Sequence, residues 1–208
     1  MSSENAEAAV DAADPLVARL ERALRRFRLQ SAHNLLDEAL ATRSPPVFLS
    51  EVAEPVLARL ESEPVAHGVA TSMLEQRLLA QARGWEAGRG PLVVLACAPR
   101  EERVLALVAL GIELAERGCR ISYLGAATPV SALRDAAREQ RAALVVVSGA
   151  AADLTGPERG ELRALAAERP LALIGRAAAA LDAAGLARLA HAQSSPESDD
   201  ASPGEAGA

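Results

Sequence analysis

Apolar residues recur every three to four positions from Leu16 to Leu78, and beyond that point the rhythm changes. Leu16, Leu20, Leu24 and Phe27 form one stripe, Leu35, Leu36 and Leu40 a second, Val52, Val56, Leu57 and Leu60 a third, and Val69, Met73, Leu74 and Leu78 a fourth. Each stripe predicts an amphipathic helix, and the short connections between them predict antiparallel neighbours in a small bundle. Ser44, Pro45 and Pro46 break the chain after the second helix, and Glu63 and Pro64 break it after the third.

Gly84, Gly88, Gly90 and Pro91 punctuate the chain around Trp85, and from there short apolar runs alternate with helical patterns. Residues 91–97, 119–124, 144–148 and 171–174 read as buried strands. Helices are predicted over 101–117, closed by Gly118, from Thr128 to about Gln140, over 157–168, and over 177–190. Thr128 is read as the cap of its helix, with Pro129 in the first turn. Strict strand-helix alternation implies right-handed crossovers and a parallel sheet covered on both faces. The predicted fold class is α + α/β: an N-terminal four-helix bundle (15–83), a linker (84–90), and a flavodoxin/Rossmann-like parallel sheet with helices on both faces (91–192). Residues 1–14 and 193–208 show no apolar periodicity and are expected to be disordered acidic tails.

Composition narrows the function. Alanine occupies 48 of 208 positions and only four residues are aromatic, so the core must be built from Ala, Leu and Val, and a base-stacking platform is excluded. All 22 basic residues are arginine, which excludes a Schiff-base or phosphate-loop lysine. Four acids and no base in each terminal segment account for −8, leaving the body at +2 against a net charge of −6. A near-neutral body without a basic stripe argues against direct nucleic-acid binding. The longest uncharged run, Ile121 to Leu133, is too short for a membrane helix, and the amino terminus lacks a signal-peptide pattern, so a cytoplasmic protein is expected. Cys97 and Cys119 read as small buried hydrophobes.

In a parallel sheet of this kind ligands bind beyond the carboxyl ends of the strands. The loops there offer Arg100, Glu101, Glu102, Arg103, Thr128, Ser148, Asp153, Thr155 and Arg176. Structural duties account for most of them: Thr128 and Thr155 as caps, Asp153 in a turn, Ser148 at a strand end, Glu101 and Glu102 at a helix amino terminus. His33, His67 and His191 have no spacing for a metal or a triad, so neither a metal site nor a catalytic set is predicted, and the chain is read as a non-enzyme.

The strings 91–99 (PLVVLACAP), 121–129 (ISYLGAATP) and 144–148 (LVVVS), following a bundle that includes 55–60 (PVLARL), resemble the cobalamin-binding regions of MerR-type light- and cobalamin-responsive transcription regulators and the corrinoid proteins of methyltransferases. The resemblance spans roughly residues 16–190. It implies a cobalt-ligating histidine after the first strand with a glycine three positions later, where this chain has Arg103 and Ala106. Arginine has no lone pair to offer a metal. It also implies a Glu-His pair where Gly68 and Val69 stand, and adjacent glycines for the nucleotide tail where Gly175 and Arg176 stand. Thr128 and Ser148 are the polar positions that remain.

These departures lead to the expectation of a retained fold with no cofactor: a regulatory module acting through protein contacts on a transcription regulator or a like subunit, with homo-oligomer formation possible. One alternative is a sensor that holds cobalamin or another tetrapyrrole through Arg100, Arg103 and Arg176, which suit phosphates or carboxylates. A second is a corrinoid carrier of a methyltransferase. The candidate ligand-binding residues are Arg103, Thr128, Ser148, Gly175 and Arg176.

Overall fold

The computed structural model describes residues 15–175 and 182–194. The terminal segments and Arg176 lie outside the described residues. The bundle opens with α1 (Pro15–Arg25) and α2 (Leu29–Thr42), continues through α3 (Pro45–Phe48) and α4 (Glu54–Leu60), and ends with α5 (Pro64–Gln81). Between α3 and α4 lies a π-helical turn, Leu49–Ala53. The third predicted helix therefore begins at Pro45: Ser44 is extended and the two prolines occupy the first turn, where no amide hydrogen bond is lost. Pro55 then falls inside a continuous helical path. A proline there removes one amide donor and clashes with the carbonyl four residues back, and the wider π turn just before it makes room for the ring.

The sheet follows as β1 (Leu92–Cys97), β2 (Arg120–Gly125), β3 (Leu144–Ser148) and β4 (Leu171–Ile174), interleaved with α6 (Leu105–Glu116), α7 (Val130–Glu139) and α8 (Gly156–Glu168), and α9 (Ala183–Ser194) comes last. The strands are all parallel, in the order β2-β1-β3-β4. The winding reverses between β1 and β3, which is where such sheets open a crevice at their carboxyl ends. The predicted fold class is the observed one.

Side chains alternate across the sheet as the pleat requires. Val93, Leu95 and Cys97 face α6, α9 and the bundle, in one continuous core with Leu144 and Val146. Val94 and Ala96 face the other way, with Val145 and Val147, onto Val130, Leu133, Leu162 and Leu165 of α7 and α8.

α6 joins the two halves. It carries no charge before Glu113, and residues 106–112 are all buried, because the sheet lies on one side of the helix and the bundle on the other. The approach is close at Gly111: a Cβ there would lie 2.8 Å from the Trp85 ring and 2.9 Å from Leu95. Trp85 is thereby pinned between α6 and Tyr123, whose ring meets it edge-on at 6.0 Å.

Gly111→Ala is expected to destabilise the fold by roughly 1–3 kcal/mol through overpacking, measured by urea unfolding. A neutral result would mean that Trp85 can withdraw from α6.

Candidate functional site

The crevice at the carboxyl ends of β1 and β3 is built from loops tied to one another by backbone hydrogen bonds. Ala98 donates its N–H to the Ser148 carbonyl (2.8 Å), Gly149 to Ile174 (3.0 Å), Thr128 to Cys97 (3.2 Å) and Ala127 to Glu101 (2.8 Å). The four strand ends thus form one connected rim. Gly149 is required at its place: its φ is +146°, and a Cβ would lie 2.8 Å from the Ala98 methyl. Arg100 (φ 69°) and Ala127 (φ 45°) also hold left-handed conformations in the loops after β1 and β2.

A second layer of contacts fixes the loop after β1. The Arg100 guanidinium grips both carboxylate oxygens of Glu158 (3.0 and 2.8 Å) and donates to the Asp153 carbonyl (2.7 Å). Glu158 is already engaged by the Thr155 backbone N–H (2.7 Å) in a capping box at the start of α8. The Arg100 and Thr155 hydrogen bonds hold the Glu158 carboxyl well down, at about 2. Arg100 therefore latches the β1 loop to α8 and does not line a ligand mouth.

Several expectations about single residues change. Glu101 does not sit at a helix amino terminus, because α6 starts four residues later; its side chain turns inward, 5% exposed, and accepts the Arg103 N–H at 3.0 Å. Thr128 is buried (7% exposed) but does not cap α7: its hydroxyl donates to the Gly125 carbonyl at 3.2 Å, and the helix begins after Pro129. Thr155 caps α8 as expected. Ser148 is 1% exposed at the end of β3. Arg103 reaches into solvent, its side chain 77% exposed. Gly175 is open, with nothing within 4 Å of the place a Cβ would take. Of the arginines expected at the rim, Arg100 is held by Glu158, Arg103 is exposed, and Arg176 lies outside the described residues.

The bundle adds a residue that periodicity left unremarked. Glu75, on α5, is half-buried and its carboxyl is raised by desolvation. Together with Glu101 it acts on Cys97 at the end of β1. Burial first, then these two acids, push the Cys97 thiol up to about 12, and its S–H donates to the Arg103 carbonyl at 3.6 Å. Tyr123 is raised too, by burial and then by Cys97 and Glu75. Cys97 is therefore a protonated packing group and not a nucleophile. No group of three or more metal-ligating side chains occurs among the described residues. None of their helices is long and apolar enough to cross a membrane.

No protein-family model matches the chain, and no curated protein matches it. Solved structures do. The monomethylamine corrinoid protein of Methanosarcina barkeri is similar at 16% identity with a TM-score of 0.57, over 87% of this chain and 99% of that one. The methanol:cobalamin methyltransferase complex of the same organism is similar at 17% identity, over 84% of this chain and 73% of that one. Its TM-score is 0.35. A cobalamin-binding protein from Desulfitobacterium hafniense is similar at 14% identity, over 76% and 83%, with a TM-score of 0.36. The first of these shares the whole arrangement of bundle and sheet with this chain.

The expectation of no cofactor is corrected by that likeness: a protein named for its corrinoid has this architecture from end to end, so the altered loop residues do not set the chain apart from a corrinoid-binding fold. The residues fit such a group unevenly. Ser148 and Thr128 at the strand ends, the uncrowded Gly175, and the left-handed Gly125 suit the close approach of a polar tail to the backbone. Arg103, in the β1 loop, would offer a metal only donors and no lone pair. His33 and His67 lie on α2 and α5, and His191 contacts the Arg117 carbonyl (3.2 Å) at the opposite end of the sheet.

The latch makes stability depend on acid. Because the folded Glu158 value lies below its ordinary 4.5, its contribution is present above about pH 4.5 and is lost as pH falls toward 2. Arg100→Gln is expected to lower stability near neutrality and to flatten the decline between pH 4.5 and 2, read from unfolding free energies along an acid series. An unchanged decline would mean that acid acts on some group other than the Arg100–Glu158 pair.

Proposed function

We propose that this chain is a cobalamin-binding module, itself non-enzymatic, that holds a corrinoid at the carboxyl ends of β1 and β3 without a cobalt ligand from the protein. The observation that carries this reading is the end-to-end match of bundle and sheet with a corrinoid protein. Thr128, Ser148 and Gly175 would receive the nucleotide tail, which carries the cofactor's own base with it, and Arg103 would offer the metal no ligand in its place. The module acts on a protein partner. Methyl carriage for a methyltransferase is one role that the shared architecture supports. A ligand-reporting role toward a transcription regulator is favoured by Arg103, because a carrier gains from an imidazole that supports changes of cobalt coordination.

Purified protein incubated in the dark with adenosylcobalamin, methylcobalamin, hydroxocobalamin or heme, then desalted, is expected to retain a cobalamin with a base-off spectrum. Colourless, folded protein would defeat the proposal. Cobalamin-dependent methyl transfer with a partner enzyme would assign the carrier role, and its absence with retained colour would assign the reporting role.

Arg103→His is expected to move bound cobalamin toward an imidazole-ligated spectrum, and Ser148→Leu to reduce retention. If Arg103→His leaves the spectrum unchanged, the β1 loop does not face the cobalt.

A further inference from the structure

Five arginines fall within ten residues of one another on α1 and the turn that follows: Arg19, Arg22, Arg25, Arg26 and Arg28. Elsewhere in the described residues arginines are mostly committed, as Arg59 is to Glu21, Arg77 to Asp37 and Arg138 to Glu168. Arg25 is committed as well, to Glu21 and Glu63. Arg22, Arg26 and Arg28 have no carboxylate partner among the described residues, and all three are exposed. An open groove of about 350 Å³ runs between α1 and α2, with Arg19, Arg22 and Arg28 on one side and Ser31, Asn34 and Glu38 on the other. Its only acid, Glu38, is loosely paired with Arg19 at 3.8 Å.

An exposed aromatic stands beside this groove. Phe27 follows α1 in the left-handed conformation (φ 52°) that helix ends usually reserve for glycine, closed by Phe27 N–H to the Leu24 carbonyl (3.0 Å) and Arg28 N–H to the Ala23 carbonyl (2.9 Å). It is 53% exposed and its neighbour Leu29 is 44% exposed, although Phe48 and Trp85 are buried. A bulky residue is kept at a strained position without burial in the fold.

We propose that the α1–α2 groove is a docking surface for an acidic segment of a partner protein, with carboxylates on Arg19, Arg22 and Arg28 and an apolar side chain on Phe27 and Leu29. Charge complementarity selects this occupant. Arg19, Arg22 and Arg28 present three guanidinium forks along the groove, which suits a segment with several carboxylates. Glu38 in the groove, together with the scarcity of aromatics for base stacking, disfavours nucleic acid. The inference does not rest on the corrinoid reading.

The full chain, free of corrinoid, is titrated into a fluorescein-labelled glutamate-rich peptide with interspersed leucines, with its glutamine isostere, pyrophosphate and a short DNA duplex as separate probes. Saturable binding of the acidic peptide is expected, weakening with salt. Arg22→Glu/Arg28→Glu is expected to weaken it at least about tenfold. Phe27→Asn, which tolerates the left-handed turn, is expected to weaken it while leaving thermal stability equal or higher. Equal binding of the glutamine isostere, indifference to the arginine reversals, or tighter binding of pyrophosphate or DNA than of the peptide would each overturn the proposal.

Discussion

The burial of α6 on two sides is the constraint on which this molecule depends. A helix that is apolar all round cannot rest on a sheet with its other face in water, so the bundle is held against the sheet by the area that α6 would otherwise expose. Gly111 lets the Trp85 ring and Leu95 both close on the helix where a Cβ would stand, and Trp85 in turn meets Tyr123 on β2. The segment between the two halves is consequently part of the packing. Its Trp85 carbonyl accepts the Ile121 N–H, and the Gly90 carbonyl accepts from the Arg120 guanidinium.

That arrangement decides what stands over the strand ends. With the bundle docked on α6, α5 brings Glu75 into the electrostatic range of Cys97 and Tyr123, and the loop after β1 is left to cross between the bundle and α8. The loop spends its polar groups internally. Glu101 accepts the Arg103 amide, Cys97 donates to the Arg103 carbonyl, and Arg100 reaches to α8. The candidate crevice is thus shaped by a backbone network with few side chains aimed outward, which suits recognition through backbone approach more than through charge.

Elements whose burial follows a simple period were legible in the sequence. The four strands and the helices that cover them stand where the apolar runs place them, within a few residues, because period-two and period-3.6 patterns report the buried face directly. Local exceptions were less legible. The helix predicted from residue 101 begins at Leu105 because Glu101 turns inward to satisfy the Arg103 amide. Thr128 looks like a cap, yet the Gly125 carbonyl is the nearer partner for its hydroxyl. Glu75 carries no local sign of its role, because its proximity to Cys97 is created by the docking of α5 near the end of β1. The identity of Arg103 was readable, but the direction of its side chain was not.

Arginine illustrates why composition alone misleads about such a site. With no lysine in the chain, every cationic duty falls to guanidinium groups. Most of those duties are structural: Arg100 clamps a loop to α8, Arg169 donates to the Ala137 and Ala142 carbonyls at the end of α7, and Arg138 joins α7 to α8. A planar fork with five donors is well made for tying loops together, and a clamp of this kind looks the same in sequence as an anion-binding residue. What separates the two is whether the fork is already filled. By that criterion the strand-end Arg100 belongs to the scaffold, whereas Arg22, Arg26 and Arg28 are exposed and lack carboxylate partners within the described residues.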